Sequence, residues 1–152
     1  MQYWLLKSEP DAFSIDDLAR LGTAAWDGVR NYQARNLMQQ MRPGDLFLFY
    51  HSSCSPPGLA GIGRIVTSAY PDRTALDTGS PYHDPKCSET RLPWVAVNVV
   101  HEETFRQLVS LATLRSLPGL DELALLKRGN RLSVMPVTAA EWEVMVLAAR
   151  QE

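Results

Sequence analysis

The sequence has 152 residues, of which 45% are hydrophobic and 21% are charged. This balance is typical of one soluble globular domain, and it excludes the collagen-like, disordered and disulfide-stapled miniprotein classes. Fifteen basic and seventeen acidic side chains give a formal net charge of −2, so any contact with nucleic acid is expected to be short, local or made in a pocket.

The first predicted elements are a strand and a helix. Residues 3–6 are aromatic and aliphatic, and polar residues 7–10 follow them, a pattern that predicts a short buried strand running into a turn. Ser14 has an acidic residue three positions later, Asp17, which predicts a capping box at the start of a helix. Gly22 is expected to end this helix after about two turns.

A second helix and a central strand are predicted next. Asn31 suits the N-cap of a helix that ends near Met41, because its side-chain oxygen can accept a hydrogen bond from the first turn. One face of this helix is apolar, whereas the other is polar and suits either a ligand or water. The polar face carries Tyr32, Arg35, Asn36 and Gln39. Residues 46–50 are apolar on both sides, which is typical of a central strand.

The remaining chain predicts further strands, a long irregular segment and a C-terminal helix. Residues 71–93 are rich in Pro, Asp, Ser, Thr and Gly, so we expect an excursion with little regular structure. Thr138 and Glu141 predict a capping box for the last helix. Strands are predicted at 59–70, 94–100 and 131–137, and short helices at 110–116 and 121–128.

Five or six short strands interrupted by helices favour an α+β fold with a mostly antiparallel or mixed curved sheet. A small barrel with helices packed outside is the expected architecture. A doubly wound parallel sheet is disfavoured, because no glycine-rich phosphate loop follows the first strand. No repeat or linker divides the sequence, so we expect one domain over residues 1–152.

The chain carries two cysteines, Cys54 and Cys87, without a CxxC motif, and this pattern indicates neither a disulfide framework nor a zinc site. Residues 1–10 place their basic residue after a very short apolar run, which is the wrong order for a signal peptide. No apolar run reaches the roughly 18 residues of a membrane span. We therefore expect a reduced, cytoplasmic protein that does not bind membranes.

Four stretches of polar and aromatic residues are candidates for binding, and three of them lie at predicted strand ends or in turns. If these ends meet at one mouth of a barrel, they supply a π surface, hydrogen-bonding groups and a few cations, which is what gripping one unpaired base requires. The stretches are residues 7–10, 26–32, 49–54 and 131–134.

Trp26 lies in a short polar segment outside any apolar periodicity. It suits stacking on a base, with Gly28 letting the base approach the backbone, and it equally suits a plug at one end of the core. Glu9 can accept a hydrogen bond from the exocyclic amine of cytosine, or it can bind Lys7 or a helix start. Single basic residues either contact phosphates or are solvated. The candidates are Lys7, Arg30, Arg35 and Arg131.

Two pairs of residues raise the alternatives of catalysis and metal binding. His51 and Cys54 suit a thiolate nucleophile activated by imidazole, although no third orienting residue is evident. His83 and Asp84 are metal-ligand types, but two groups in one loop are too few, and hydrogen bonding in a turn is the better interpretation.

The motifs of the chain resemble those of the EVE domain family, in order from about residue 2 to residue 146. Seven separated motifs in one order make the resemblance specific. They are YWLLKSEP (3–10), WDGVRNYQARN (26–36), GDLFLFYHSSC (44–54), GLAGIGRIV (58–66), YPD (70–72), PWVAVNV (93–99) and RLSVMPVT (131–138).

The resemblance implies a PUA-like fold, a curved barrel related to the YTH and ASCH domains. It also implies a non-catalytic reader of modified bases, associated with 5-methylcytosine and its oxidised forms in DNA, with RNA as a second option. The implied partner is a nucleic acid carrying a modified base, or a modified nucleotide. No cofactor or metal is implied, and the oligomeric state is left open.

Carried over by position, the resemblance implies that Trp26 is one wall of the base pocket. A related branch cages a methyl group with two or three aromatic rings, whereas here only Trp26, with Tyr32 or Trp94, is available. The polar side of the pocket is implied for Lys7, Ser8, Glu9, Asn31, Tyr32 and Arg35, and the opposite rim for His51, Ser52 and Ser53. Ser133 lies in a matching motif.

Two other function classes stay open at this point. A hydrolase acting on RNA or a nucleotide would use His51, Cys54 or Lys7. A protein-interaction scaffold would bind no small ligand. A turnover assay separates the hydrolase from the reader, and a titration with nucleic acid separates the scaffold from both.

Overall fold

The structure is a computed structural model that describes residues 1–151. Its strands form one mixed, seven-stranded sheet in the hydrogen-bonded order β2-β6-β4-β3-β1-β7, and β5 pairs with β6 beside this path. The strands are β1 (Tyr3–Ser8), β2 (Thr23–Trp26), β3 (Leu46–His51), β4 (Gly58–Ile65), β5 (Tyr70–Pro71), β6 (Val95–Ser110) and β7 (Val134–Val137). The predicted α+β class is confirmed.

Strands β1 and β3 are parallel, and the other strand pairs are antiparallel. A parallel pair needs a long crossover connection, and residues 9–45 supply it with two helices and β2. The path begins at β2 and ends at β7, and these two edge strands do not pair with each other within residues 1–151. The sheet is therefore open in its hydrogen bonding, and the expected closed barrel is not confirmed.

Both faces of the sheet are buried, because neighbouring residues of its central strands point to opposite sides. Trp4 and Leu6 of β1 belong to one core cluster, whereas Leu5 between them belongs to the other. Helices α1 (Ile15–Leu21) and α2 (Tyr32–Met38) cover the first cluster, and α3 (Leu111–Ser116) and α4 (Ala139–Arg150) cover the second.

The helix starts follow the local sequence signals. The backbone N–H of Asp17 donates to Ser14 Oγ at 3.1 Å, and Asp17 Oδ2 accepts from the Ser14 N–H at 2.9 Å. The second predicted capping box, Thr138 with Glu141, forms the same reciprocal pair. Asn31 Oδ1 accepts from the backbone N–H of Ala34 at 2.9 Å. All three predicted caps are confirmed.

The bounds of several elements differ from prediction, and for the longest strand distant pairing explains the difference. The predicted strand 94–100 continues to Ser110, because β4 pairs along most of its length. Helix α2 stops at Met38, before the predicted Met41. The strand predicted at 59–70 ends at Ile65, and the strand predicted from residue 131 begins at Val134. The helix predicted at 121–128 is a short 3-10 turn, Ala124–Leu126.

Candidate functional site

A hollow of about 660 Å³ opens where β1 and β2 end and the irregular segment 71–93 passes over them. Its volume lies within the range of about 300–1,000 Å³ typical of small-molecule sites. We call it the β1–β2 hollow. The side chains around it that carry chemistry or aromatic surface are Lys7, Ser8, Glu9, Phe13, Trp26, Asp27, Arg30, Tyr82 and Ser133.

Trp26 is both a core residue and a wall of this hollow. Only 7% of its surface is exposed, and its indole packs edge-on against Phe49 at 5.2 Å and Phe47 at 5.8 Å between ring centroids. The pairing of β2 with β6 holds it in place. The sequence analysis considered Trp26 as a stacking surface or as a plug of the core. The structure is compatible with both, because the ring fills the core and also borders the hollow.

Tyr82 occupies the space that the sequence analysis assigned to a base beside Gly28. Gly28 has a φ of +78°, and a Cβ built on it would lie 2.6 Å from the Tyr82 ring. A base can therefore approach the Gly28 backbone only if the Tyr82 ring moves away. Tyr82 is instead a second aromatic wall, which sequence reasoning missed because residues 71–93 have no periodicity.

An ion pair fastens this second wall to the turn before α2. Asp72 is buried, and its carboxylate accepts from the Gly28 N–H at 2.8 Å and from Arg30 Nη1 at 2.9 Å. Arg30 Nη2 also donates to the Tyr82 carbonyl at 2.7 Å. Burial opposes ionisation of Asp72, but hydrogen bonds from Thr74, Gly28 and Arg30 outweigh it and lower its pKa. Arg30 is thus a clamp rather than the free phosphate contact considered from sequence.

Besides the clamped Arg30, the polar wall of the hollow offers one more cation, Lys7, and several acceptors. Burial lowers the pKa of Lys7, whose ammonium lies 5.8 Å from the Tyr50 ring centroid. Ser8 Oγ donates to the Phe13 carbonyl at 2.7 Å, so its remaining capacity is to accept. Asp27 was not predicted as a site residue, although it is half-buried in the lining, and burial, followed by the charge of Asp72, raises its pKa.

Asn31, Tyr32 and Arg35 do not line the β1–β2 hollow. The Asn31 side chain is used to cap α2. Tyr32 is 57% exposed and lies against Trp94 at 4.7 Å between ring centroids, in a different hollow. Arg35 donates to Asn36 Oδ1 and to the Pro93 carbonyl. The structure therefore separates these three residues from Lys7, Ser8, Glu9 and Ser133.

The predicted rim residues His51, Ser52 and Ser53 also lie outside the lining. His51 Nε2 accepts from the backbone N–H of Ile15 at 3.1 Å, and burial lowers its pKa. The Ser52 N–H donates to the Ser8 carbonyl at 3.0 Å. These contacts give the end of β3 and the loop after it a supporting role, because His51 braces α1 and Ser52 braces the end of β1.

The arrangement does not assemble the nucleophile pair considered from sequence. His51 Nε2 already accepts from Ile15, and the Cys54 thiol lies 3.5 Å from the Pro56 carbonyl. Within residues 1–151, His, Cys, Asp and Glu side chains do not gather in groups of three or more that suit a metal ion. No helix in this part of the chain is long and apolar enough to span a membrane.

Comparisons with known proteins agree over almost the whole length. The EVE domain family model matches residues 2–148. Human thymocyte nuclear protein 1 is 37% identical over 99% of this chain and 75% of its own length. A crystal structure from Pseudomonas syringae has a TM-score of 0.95 and 54% identity, covering 97% of this chain and 99% of that one. Human thymocyte nuclear protein 1 in complex with 5-methylcytosine-containing DNA has a TM-score of 0.93 and 37% identity, covering 100% of this chain and 99% of that one.

Proposed function

Because the chain belongs to the EVE domain family, we propose that it is a non-catalytic module that binds DNA and recognises a cytosine modified at C5. The proposed binding site is the β1–β2 hollow. The observation that carries the proposal is the composition of this hollow, in which Trp26 and Tyr82 supply aromatic surface beside polar groups. The human relative solved with 5-methylcytosine-containing DNA supports DNA as the partner.

A base that enters the hollow must be unpaired or flipped out of the duplex. Flipping costs a few kcal/mol, which one stacking contact of about 1–3 kcal/mol and hydrogen bonds to the base edge can offset. Asp27 and Ser8 present acceptor oxygens that suit the exocyclic amine of cytosine. Lys7 supplies a cation for a ring acceptor or a phosphate. We expect modest affinity, because the cost of flipping nearly cancels the free energy gained from stacking and hydrogen bonds.

The C5 methyl group is expected to be read by apolar contact. A methyl group buried against Phe13 or the rings beside it adds about 0.8 kcal/mol, which corresponds to about fourfold tighter binding of 5-methylcytosine than of cytosine. We propose that Lys7, Ser8, Glu9, Trp26 and Ser133 keep their assignment to the base pocket. We also propose that residues 1–152 work as one domain with a PUA-like barrel curvature.

The test is a titration of single-stranded DNA 9-mers that differ only in one central base. Anisotropy is measured for cytosine, 5-methylcytosine and thymine with the wild type, Tyr82→Ala and Tyr70→Ala. Tyr70 is a matched control, because it is 36% exposed, against 38% for Tyr82, and lies outside the hollow. We expect 5-methylcytosine to bind most tightly and Tyr82→Ala alone to weaken it at least about fivefold.

Two results would overturn the proposal. Equal affinity for all three strands, unchanged in Tyr82→Ala, would show that the hollow does not read a base. A mass spectrum showing that the wild type alters the 9-mer during incubation would show an enzyme instead of a reader.

A further inference from the structure

A second hollow, of about 570 Å³, lies beside the first turn of α2 and is not used by the proposed base pocket. We call it the α2 hollow and define it by Tyr32, Asp84, Lys86, Arg91, Pro93 and Trp94. We infer that the α2 hollow is a binding site for the nucleotide next to the recognised base in a single DNA strand. This inference rests on the proposed function.

Planar side chains that can stack on a base lie against one another at this site. Trp94 is 6% exposed, and its indole N–H donates to Asp84 Oδ2 at 2.9 Å, so its ring is fixed. Tyr32 lies against it with a tilt of 36° and remains 57% exposed. The Arg35 guanidinium lies 5.0 Å from the Tyr32 ring centroid. Tyrosine rings and guanidinium planes both stack on unpaired bases.

The charge around these rings suits a phosphate. Lys86 and Arg91 are exposed on the lining, and Asp84 is the carboxylate that lines the same hollow. The hydrogen bond from Trp94 and then the N–H of Lys86 lower the pKa of Asp84, so this carboxylate stays ionised and is used to hold the loop. Two cations against one anion give a local positive charge, whereas the whole chain has a net charge of −2. A single strand is therefore attracted here rather than over the general surface.

Arg30 joins the α2 hollow to the β1–β2 hollow. Its Nη2 donates to the Tyr82 carbonyl at 2.7 Å, in the wall of the first hollow. Its guanidinium carbon lies 5.7 Å from the Trp94 ring centroid, in the wall of the second. Arg30 therefore contacts one lining residue of each hollow, and this bridge is the geometric basis for placing consecutive nucleotides of one strand in the two hollows.

The experiment compares two probes with the full chain: the nucleoside 5-methyl-2′-deoxycytidine, and a single-stranded DNA 7-mer with one central 5-methylcytosine. We expect Tyr32→Ala to weaken the 7-mer at least about fivefold and to leave the nucleoside unchanged. Tyr32→Phe keeps the ring and should bind like the wild type. Circular dichroism checks that each variant is folded.

The cations are tested through salt dependence. Lys86→Ala combined with Arg91→Ala should reduce the slope of log K against log salt by about 1.4 for the 7-mer, because each phosphate contact on a single strand contributes about 0.7. The matched control is Lys127→Ala with Arg128→Ala, which removes the same charge from exposed residues outside both hollows. This control should leave the slope nearly unchanged.

Three outcomes distinguish the two proposals. If Tyr32→Ala weakens nucleoside and 7-mer equally, or if the two double variants have the same slope, the α2 site is refuted. If the wild type fails to bind the nucleoside while Tyr32→Ala still weakens the 7-mer, the base pocket fails and the α2 site stands. If the nucleoside binds and Tyr32→Ala changes neither probe, the base pocket stands alone.

Discussion

Replacing Asp72 with alanine should remove the clamp that holds the irregular segment 71–93 against the turn before α2. The Asp72 side chain is 1% exposed, and that of its partner Arg30 is 22% exposed. Loss of one partner of a buried ion pair costs about 3–5 kcal/mol. We expect the lower end, about 3 kcal/mol, because Arg30 keeps the Tyr82 and Val29 carbonyls as acceptors. For a chain of this size, this loss lowers Tm by about 6–12 °C.

The assay is urea unfolding followed by tryptophan fluorescence at pH 7, with Arg73→Ala as the control. Arg73 is next in sequence, and its ion pair with Glu89 is exposed, so its loss should cost no more than about 1 kcal/mol. If Asp72→Ala lowers the free energy of unfolding by no more than Arg73→Ala does, the reasoning is refuted. Asp72→Ala should also weaken binding of the 5-methylcytosine 9-mer, since Gly28 and Arg30 both lose the carboxylate that positions them and Tyr82 is then held less firmly beside Gly28.

Three further predictions concern pH, strain and the polar wall. Burial lowers the pKa of His51 in the folded state, so the contribution of His51 to the free energy of unfolding should be constant above about pH 6.5 and should fall at lower pH. His51→Gln can still accept from Ile15, and it should flatten this fall when urea unfolding is measured from pH 7.5 to pH 5. Gly28→Ala should cost at least about 1 kcal/mol in the same assay, because it combines a left-handed φ with a clash against Tyr82; an unchanged midpoint would contradict this. Asp27→Asn should raise the urea midpoint, because it removes a half-buried charge that the carboxylate of Asp72 repels. The same change should weaken cytosine binding about fivefold. A lower urea midpoint, or tighter cytosine binding, would count against the role of Asp27 in the hollow.

The parts of the fold that follow from nearest neighbours could be predicted from the sequence. The caps at Ser14, Asn31 and Thr138 each need residues only three positions apart, and all of them form. Strand β2 was missed, because its four residues carry no strong alternation and it is defined by pairing with β6, more than seventy positions away. Local signals fix where helices begin, whereas distant strand pairing fixes where strands exist.

The candidate site shows the same division. Asn31 was assigned both to the cap of α2 and to the base pocket, and the capping bond takes its side-chain oxygen away from the pocket. Tyr82 had no local signal at all, because its position depends on Arg30, whose partner Asp72 lies 42 positions away. An arginine and an aspartate far apart in sequence are visible as residues, but nothing in the sequence alone pairs them.

The walls of the β1–β2 hollow differ in how they are held, and this difference determines which wall adapts to a base. Trp26 is fixed by β2–β6 pairing and by two phenylalanine rings, so its movement requires disruption of the core. Tyr82 is exposed, and its backbone is tied by Arg30. Rotation of the tyrosine side chain leaves that tie intact and uncovers Gly28. In the proposed function, a base therefore meets one rigid aromatic wall and one movable wall, and the Arg30–Asp72 pair keeps the backbone of the second in place while its ring rotates.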